Sequence, residues 1–465
     1  MLRTMANEAN SSGPSLRKAL GVFDGIAILI GITIGAGIYS TPQIIAGYLS
    51  SFDSIILLWL LAGVFVFTSG LIYAELGTRM PHTGGEYVYI SRCFGPFAGF
   101  MFGWAQLFII RTSAAAGLAL IVADYFGYFV ALDRISRIIT ALAVIFLLGV
   151  LNYMGIQRAS IFQKLSTMLK VGALLSIVIV GIIFSGGQEN LLSTRATPEG
   201  PLSPLGNVVA ALMLIIFSHT GWERIGYPAG EMKNPRRVIP LSLMIGIGLV
   251  VLLYALTNLT YHRILGMEGM RKSTIVASDV LTVLIGPIGA ALIAILVIIS
   301  ATGSINGTMM TATRAYYAMS RDGLFFKWLD HVHHRFRTPS RAIVAHCVWG
   351  GAILIIRGTF ETIATGLVFT ILIFYGLSTL ALFKMRKDHI GGTNIFLMPL
   401  YPFLPLLSLL LIIGLIVLRA IFQWQNSAVD LIFVVTGIPF AFYWVRRREK
   451  TTRMEKKNSD IKGQN

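Results

Sequence analysis

Apolar runs of about 20 residues, parted by short polar stretches, recur along the whole chain. Wound as a helix at about 1.5 Å per residue, each is long enough to cross a hydrocarbon core of roughly 30 Å. Twelve can be drawn, near 21–48, 54–78, 96–127, 136–152, 160–184, 205–230, 238–262, 286–318, 341–356, 361–383, 396–420 and 429–446. The ninth is short and the eighth long, so the ends are fixed only to within several residues. The pattern predicts an all-α polytopic membrane protein with twelve transmembrane helices. The first run is too long and too interrupted for a cleavable signal peptide, so the chain is expected to stay whole.

Two of the runs are broken in the middle. The first carries Gly31-Ile32-Thr33-Ile34-Gly35-Ala36-Gly37, and the sixth carries Ser218-His219-Thr220-Gly221-Trp222. In a bilayer an unpaired backbone N–H or C=O costs several kcal/mol, so helix is interrupted there only where it lines a cavity. The breaks lie five spans apart, in matching positions of two halves, which is the pattern that marks a transporter's substrate site. Past Gly35-Ala36-Gly37 a new half-helix begins, with free N–H groups and a positive dipole end that suit a carboxylate. At Phe217-Ser218-His219-Thr220 a half-helix ends, with free C=O groups that suit an ammonium. Face to face, the two recognise a zwitterion; a sugar, an anion or a simple cation fits only half. Close helix packing through small residues is the other use of such glycines, and the first segment alone allows either. The polar residues of the second make a poor packing stripe. No direct sequence identity links the halves, so an inverted repeat is inferred from position only.

Composition agrees with the membrane reading: 55% of residues are hydrophobic and 13% charged, against roughly 25% charged in soluble domains. The net charge of +17 would point to nucleic acid in a soluble protein. With the amino terminus placed in the cytoplasm, however, most of the 38 Lys and Arg fall on inside connections and in the tail. That is the positive-inside signature. The Arg446–Lys462 tail is then a topology anchor touching anionic lipid, and nucleic-acid binding is not expected. Cys93 and Cys347 read as two buried thiols, without a disulfide framework or a metal set. His331, His333 and His334 read as a solvated basic loop with Arg335 and Arg337, so no metal and no cofactor is expected. An intramembrane enzyme finds little support: Ser218 and His219 are neighbours, about 100° apart on a helix, and no HExxH is present. Neither repeated pore-lining segments nor rings of like charge suggest a channel.

Arg111, Lys170, Arg224 and Arg314 fall within spans, where each charge is a functional hypothesis by default. Lys170 lies some ten residues into the fifth span; Arg314 has the option of snorkelling to the inner face. Glu75 and Glu231, near inner ends, are expected to pair with Arg79, Lys233 or Arg236. Glu223, beside the second break, is expected to pair with Arg111 or Arg224, since neither charge is stable buried alone. Carrying a proton, or meeting a cationic side chain, are its alternative roles.

At this point the motifs carry a family resemblance. Gly31–Pro42 (GITIGAGIYSTP), Tyr73–Gly77 with Pro81–Ile90 (YAELG and PHTGGEYVYI), Ile109–Ser113 (IIRTS), Ser166–Leu174 (STMLKVGAL), Phe217–Pro240 (FSHTGWERIGYPAGEMKNPRRVIP) and Ser304–Gly323 (SINGTMMTATRAYYAMSRDG) follow in order through the first eight spans. The chain resembles transporters of the amino acid–polyamine–organocation (APC) superfamily, in the L-type branch of heteromeric light chains and their bacterial relatives. GEYVYI and EMKNPRRVIP are the specific motifs; a lone GAG would be weak, and the last two spans match nothing.

The resemblance implies a LeuT-type core of two inverted five-span repeats, about 21–184 and 205–390, with helices one and six broken. Two peripheral helices at 391–447 follow, and the tails, 1–20 and the basic 448–465, are cytoplasmic. It implies alternating access around a mid-membrane site. The carboxylate would meet the backbone of Thr33, Gly35, Ala36 and Gly37, the amine the carbonyls of Phe217, Ser218 and Thr220, and Phe217 would close as an outer gate. Lys170 would stand where sodium-coupled relatives hold a cation. Arg111 would bond carbonyls of a neighbouring interrupted helix. Three positions depart from the family's pattern. Glu223 replaces a neutral amide, Ala36 a common serine, and Thr220 the glycine of large-neutral members or the acid of cationic ones. Thr220 thus implies small or medium neutral L-amino acids, with serine, threonine and alanine ahead of tryptophan and cationic ones poor. The outside loop Gly127–Arg137 lacks the cysteine that ties eukaryotic members to a glycoprotein, so no disulfide-linked heavy chain is expected. The implied function is a sodium-independent exchanger in a prokaryotic inner membrane, with a proton-coupled symporter or a non-transporting sensor as alternatives.

Overall fold

A helix satisfies its own backbone, and this chain uses that solution almost throughout. The computed structural model describes residues 20–82, 84–184, 200, 202–321, 323 and 325–447. Both tails, apart from residue 20, lie outside them. Among the described residues there is no strand, only an isolated bridge between Leu20 and Met232.

The first span is split into α1 (Val22–Thr33) and α2 (Thr41–Tyr48). There follow α3 (Phe52–Arg79), α4 (Glu86–Ala105), α5 (Arg111–Phe126), α6 (Arg134–Tyr153), α7 (Ile156–Phe184) and α8 (Pro204–His219). The second half has α9 (Pro235–Lys272), α10 (Val276–Ile285), α11 (Pro287–Arg321), α12 (Ser340–Arg357), α13 (Phe360–Lys387), α14 (Phe403–Phe422) and α15 (Trp424–Val435). Among the described residues, eleven helical stretches are long and apolar enough to cross a membrane, and the broken first span makes the twelfth. Local chemistry sets several starts. Ser51, Asp133, Ser203 and Thr359 each accept a backbone N–H three residues on, capping α3, α6, α8 and α13.

Several boundaries differ from the expectation, among them that of the seventh span, which runs ten residues on to Lys272 across a bend at Gly266 (φ 66°). The third span begins at Glu86, ten residues early, because the helix bends at Gly95 (φ 86°) instead of ending there. It then passes through a π turn, Gln106–Ile110, into α5, with Thr112 Oγ1 donating to Leu107 O at 2.7 Å. The separate helix α10 precedes the eighth span. The eleventh starts seven residues late, since Pro399 and Pro402 interrupt the segment before it.

Contacts sort the spans into two groups of four. Spans one, two, six and seven pack together through α9 against α3 and α1, and through α3 against α8. Spans three, four, eight and nine pack through α11 against α5 and through α5 and α6 against α12. Small residues permit the closest approach: a methyl group at Gly70 would fall 2.5 Å from Ile247 Cδ1. Outward-facing Leu147, Ile288 and Leu410 are largely exposed. Such surfaces are a liability in water and match lipid tails.

Buried ion clusters clamp the ends of the bundle. The Glu75 carboxylate accepts from Arg79 Nε (2.8 Å), Arg386 Nε (2.8 Å) and Nη2 (2.6 Å), and Met398 N (2.9 Å), joining α3, α13 and the connection beyond. Arg79 is the partner expected for Glu75; Arg386 was not foreseen. At the other end Asp430 on α15 binds Arg357 and, at 2.8 Å, Arg419. Glu75→Ala strands two guanidinium groups and is expected to cost about 3–5 kcal/mol. The check is the thermal unfolding midpoint in detergent, and an unshifted midpoint would remove the clamp from this account.

Candidate functional site

The first break is narrower than its glycine-rich sequence. Gly31, Ile32 and Thr33 remain helical, and Ile34 N closes the last turn on Ile30 O at 2.8 Å. Gly35 N bends back to Thr33 O (2.8 Å), and a 3-10 turn, Gly37–Tyr39, leads to α2. Among the described residues, the N–H groups of Ala36 and Gly37 meet no acceptor, and Thr33 Oγ1 is buried without a hydrogen-bond partner. These three donors, with the Gly35 N–H already engaged, are what the first break presents.

At the second break α8 stops at His219, Thr220 is extended, and Gly221 takes φ 122°, a left-handed conformation open to glycine. A 3-10 turn, Trp222–Gly226, follows. The terminal carbonyls are partly capped. Phe217 O accepts from Thr220 N (3.0 Å) and Thr220 Oγ1 (2.7 Å), while no donor meets the Thr220 carbonyl among the described residues.

The breaks touch. A Cβ at Gly37 would lie 3.1 Å from Ser218 Cα, and one at Gly221 would lie 3.1 Å from Ile32 O. Thr41 Oγ1 and Ser218 Oγ are 3.0 Å apart. The hydroxyl of Tyr254, on α9, stands 3.1 Å from both Thr33 O and Ser218 O, stapling the two interruptions. Nothing in the sequence separated Tyr254 from an ordinary packing aromatic.

A cavity of about 490 Å³ opens beside this junction. Thr33, Gly35, Gly37, Phe217, Ser218 and Thr220, all singled out from the sequence, line it; Ala36 is buried and does not. The cavity continues past Ala27, Ile28 and Gly31 on α1 and Met310 and Thr311 on α11. It therefore extends toward the end of the bundle where the described chain begins. Phe217 packs edge-on against Phe360 at 5.4 Å.

Lys170 is fully buried on α7, with Nζ 3.5 Å from Ser304 Oγ, itself a lining residue, and its carbonyl accepting from Tyr39 Oη at 3.2 Å. Behind the second break lies a charge cluster. Glu223 accepts from Gly221 N (2.7 Å) and from Tyr375 Oη (3.4 Å), with Arg224 Nε at 3.5 Å and Arg111 Nη1 at 3.8 Å. Pairing of Glu223 with both arginines is as expected. Of the two roles expected for Arg111, the ion pair is the one present: its guanidinium faces this carboxylate, since a buried charge is better met by an opposite charge than by carbonyl dipoles. A second buried carboxylate, Glu86, accepts from Tyr73 Oη at 2.5 Å. The sequence reading left it outside the third span, although it sits in the GEYVYI motif. Glu231 makes no ion pair with Lys233 or Arg236 among the described residues; Arg236 bonds Thr393 O instead. Arg314 bonds Met310 O on its own helix. Both cysteines are buried and free. His333 Nδ1 accepts from the N–H groups of Arg335 and Phe336 in its loop.

Twelve spans, two interruptions in contact and a cavity at their junction are the setting for the comparisons with known proteins. A family model described as amino acid permease matches residues 20–450. The chain belongs to this family. It is 30% identical to the serine/threonine exchanger SteT of Bacillus subtilis (strain 168), over 93% of this chain and 98% of that one. It is 28% identical to the human b(0,+)-type amino acid transporter 1, over 93% and 88%, and 28% identical to the human cystine/glutamate transporter, over 92% and 85%. The protein is thus an amino acid transporter of the APC superfamily and its L-type branch, a multi-pass membrane protein and not an enzyme.

With Tyr254 as the staple, Tyr254→Phe loses the one hydrogen bond shared between the two helix ends, worth about 1 kcal/mol net, and loosens their junction. Expected are a slightly lower unfolding midpoint and clearly slower uptake; uptake at the full wild-type rate would contradict the staple.

Proposed function

We propose that this permease is a sodium-independent exchanger of small and medium neutral L-amino acids, working by alternating access. The observation that carries the reading is the contact between the two breaks at the wall of one cavity. Donors at Thr33 and Gly37 stand on one side, with the buried Ala36 N–H next to them in the chain, and the carbonyls of Phe217, Ser218 and Thr220 on the other. A carboxylate on the first and an ammonium on the second satisfy groups that the bilayer cannot. A carbonyl has two lone pairs, so the caps on Phe217 and Ser218 leave room for an amine.

Several features support the finer points. Lys170 brings a tethered cation beside the cavity, in place of a bound one. Thr220 narrows the lining without adding charge. Glu223 lies between two guanidinium groups, the arrangement of a compensated charge, which favours exchange over proton coupling. The exchange reading leans also on the printed activity of SteT. Spans two and seven, and three and eight, are the helix pairs expected of two inverted repeats, about 21–184 and 205–390, and the two last spans are the least buried. Phe217, edge-on to Phe360, is the proposed outer gate, and the cavity's extension along α1 corresponds to an inward-facing state. The same reading places both termini in the cytoplasm of a prokaryote, in its inner membrane, with no disulfide-linked heavy chain.

The deciding experiment is counterflow in proteoliposomes. Vesicles loaded with unlabelled serine should accumulate labelled serine or alanine without sodium; binding without flux would identify a sensor. Lys170→Ala should cut uptake by about tenfold or more, and a sodium requirement in the wild type would overturn its assignment. Thr220→Gly should improve uptake of bulkier neutral substrates, and no gain would remove Thr220 from the account of selectivity. Uptake driven by an inward proton gradient, and lost in Glu223→Gln, would replace exchange by proton coupling.

A further inference from the structure

Below the two breaks the cavity wall differs in chemistry from one side to the other. Ser304, Gly307, Thr308 and Thr311 recur at helical spacings of three and four, so they share the face of α11 that lines the cavity. Ala114 and Leu118 on α5 are apolar. Arg224, four residues past Thr220, reaches the same space. Its Nη1 donates to Thr308 Oγ1 at 3.3 Å, and its Nε stands 3.5 Å from Glu223 Oε1. A guanidinium carries five N–H donors in a planar fork. Thr308 takes one and Nε faces Glu223, so the remaining Nη donors are the ones left to the cavity. Thr308 and Glu223 hold the plane in place, so the cavity meets a fixed set of donors beside a row of hydroxyls.

With an amino acid's α-groups on the two breaks, the remaining lining is what its side chain encounters. We propose that Arg224, oriented by Thr308 and Glu223, is the specificity-determining residue of a side-chain subsite. That subsite selects amino acids bearing an oxygen acceptor near the α-carbon over their apolar isosteres. This inference rests on the amino acid site argued above and adds the class of side chain it admits. An apolar side chain of equal size leaves the fork's donors unmet. Such a loss discriminates far more sharply than a methylene more or less in an apolar pocket. The positive fork also disfavours a side-chain ammonium.

Threonine and valine differ by a hydroxyl for a methyl, and their competition against labelled alanine uptake in proteoliposomes reads the subsite. The wild type should favour threonine by about tenfold or more. In Arg224→Met that ratio should fall toward one, whatever the absolute rate, because the ratio of inhibition constants does not depend on turnover. A threonine preference kept in Arg224→Met overturns the proposal, as does a wild-type ratio near one. If Arg224→Met carries no measurable alanine, Thr308→Val is read instead. It keeps the side chain's shape and frees the fork, so a reduced ratio supports the subsite and an unchanged one overturns it. A wild type that moves neither alanine nor serine refutes the amino acid site itself, a result distinct from either.

Discussion

A backbone polar group has no water to turn to in a hydrocarbon layer, and the rest of this structure follows from that constraint. The chain meets it with long helices nearly everywhere and then breaks it twice, at one place. Even there the exceptions are trimmed. Ile34 and Gly35 fold their N–H groups back onto α1, and Thr220 caps Phe217 with both its amide and its hydroxyl. What remains unmet is a short set of donors on one side and partly open carbonyls on the other. In the proposed site, recognition of the two ends of an amino acid is what this incomplete capping supplies, without a charged side chain in direct contact.

Charges are treated by the same rule. Glu75, Glu223 and Asp430 are each almost fully buried, and each faces two guanidinium groups. One removed partner still leaves one in place, which suits a protein whose helices must shift against each other without exposing a lone ion to lipid. Lys170 is the contrast. Its ammonium meets the hydroxyl of Ser304, a neutral partner at the cavity wall, and no carboxylate pairs with it among the described residues.

Much of this was legible in the chain alone. All twelve spans came from hydropathy, because a bilayer demands length and apolarity whatever the tertiary contacts. The breaks at 31–37 and 218–222 were visible because small and polar residues are out of place at such depth. Their true extent was not: Gly31 continues the helix, since glycine weakens a helix without ending it, and only the bonds made by Ile34 and Gly35 mark the stop. Glu86 escaped because Gly95-Pro96 looks like a terminus and proves to be a bend. Tyr254 and the hydroxyl face of α11 escaped for a different reason. An aromatic or a threonine in a membrane helix looks the same whether it faces lipid, a neighbour or a cavity, and only the packing of α9 and α11 decides.

A phenol owns one hydrogen, yet the Tyr254 oxygen stands equally near two acceptors, Thr33 O and Ser218 O. It can serve only one at a time. The staple is therefore one hydrogen bond shared between two helix ends, and whichever carbonyl it leaves still lies in contact range of the same oxygen.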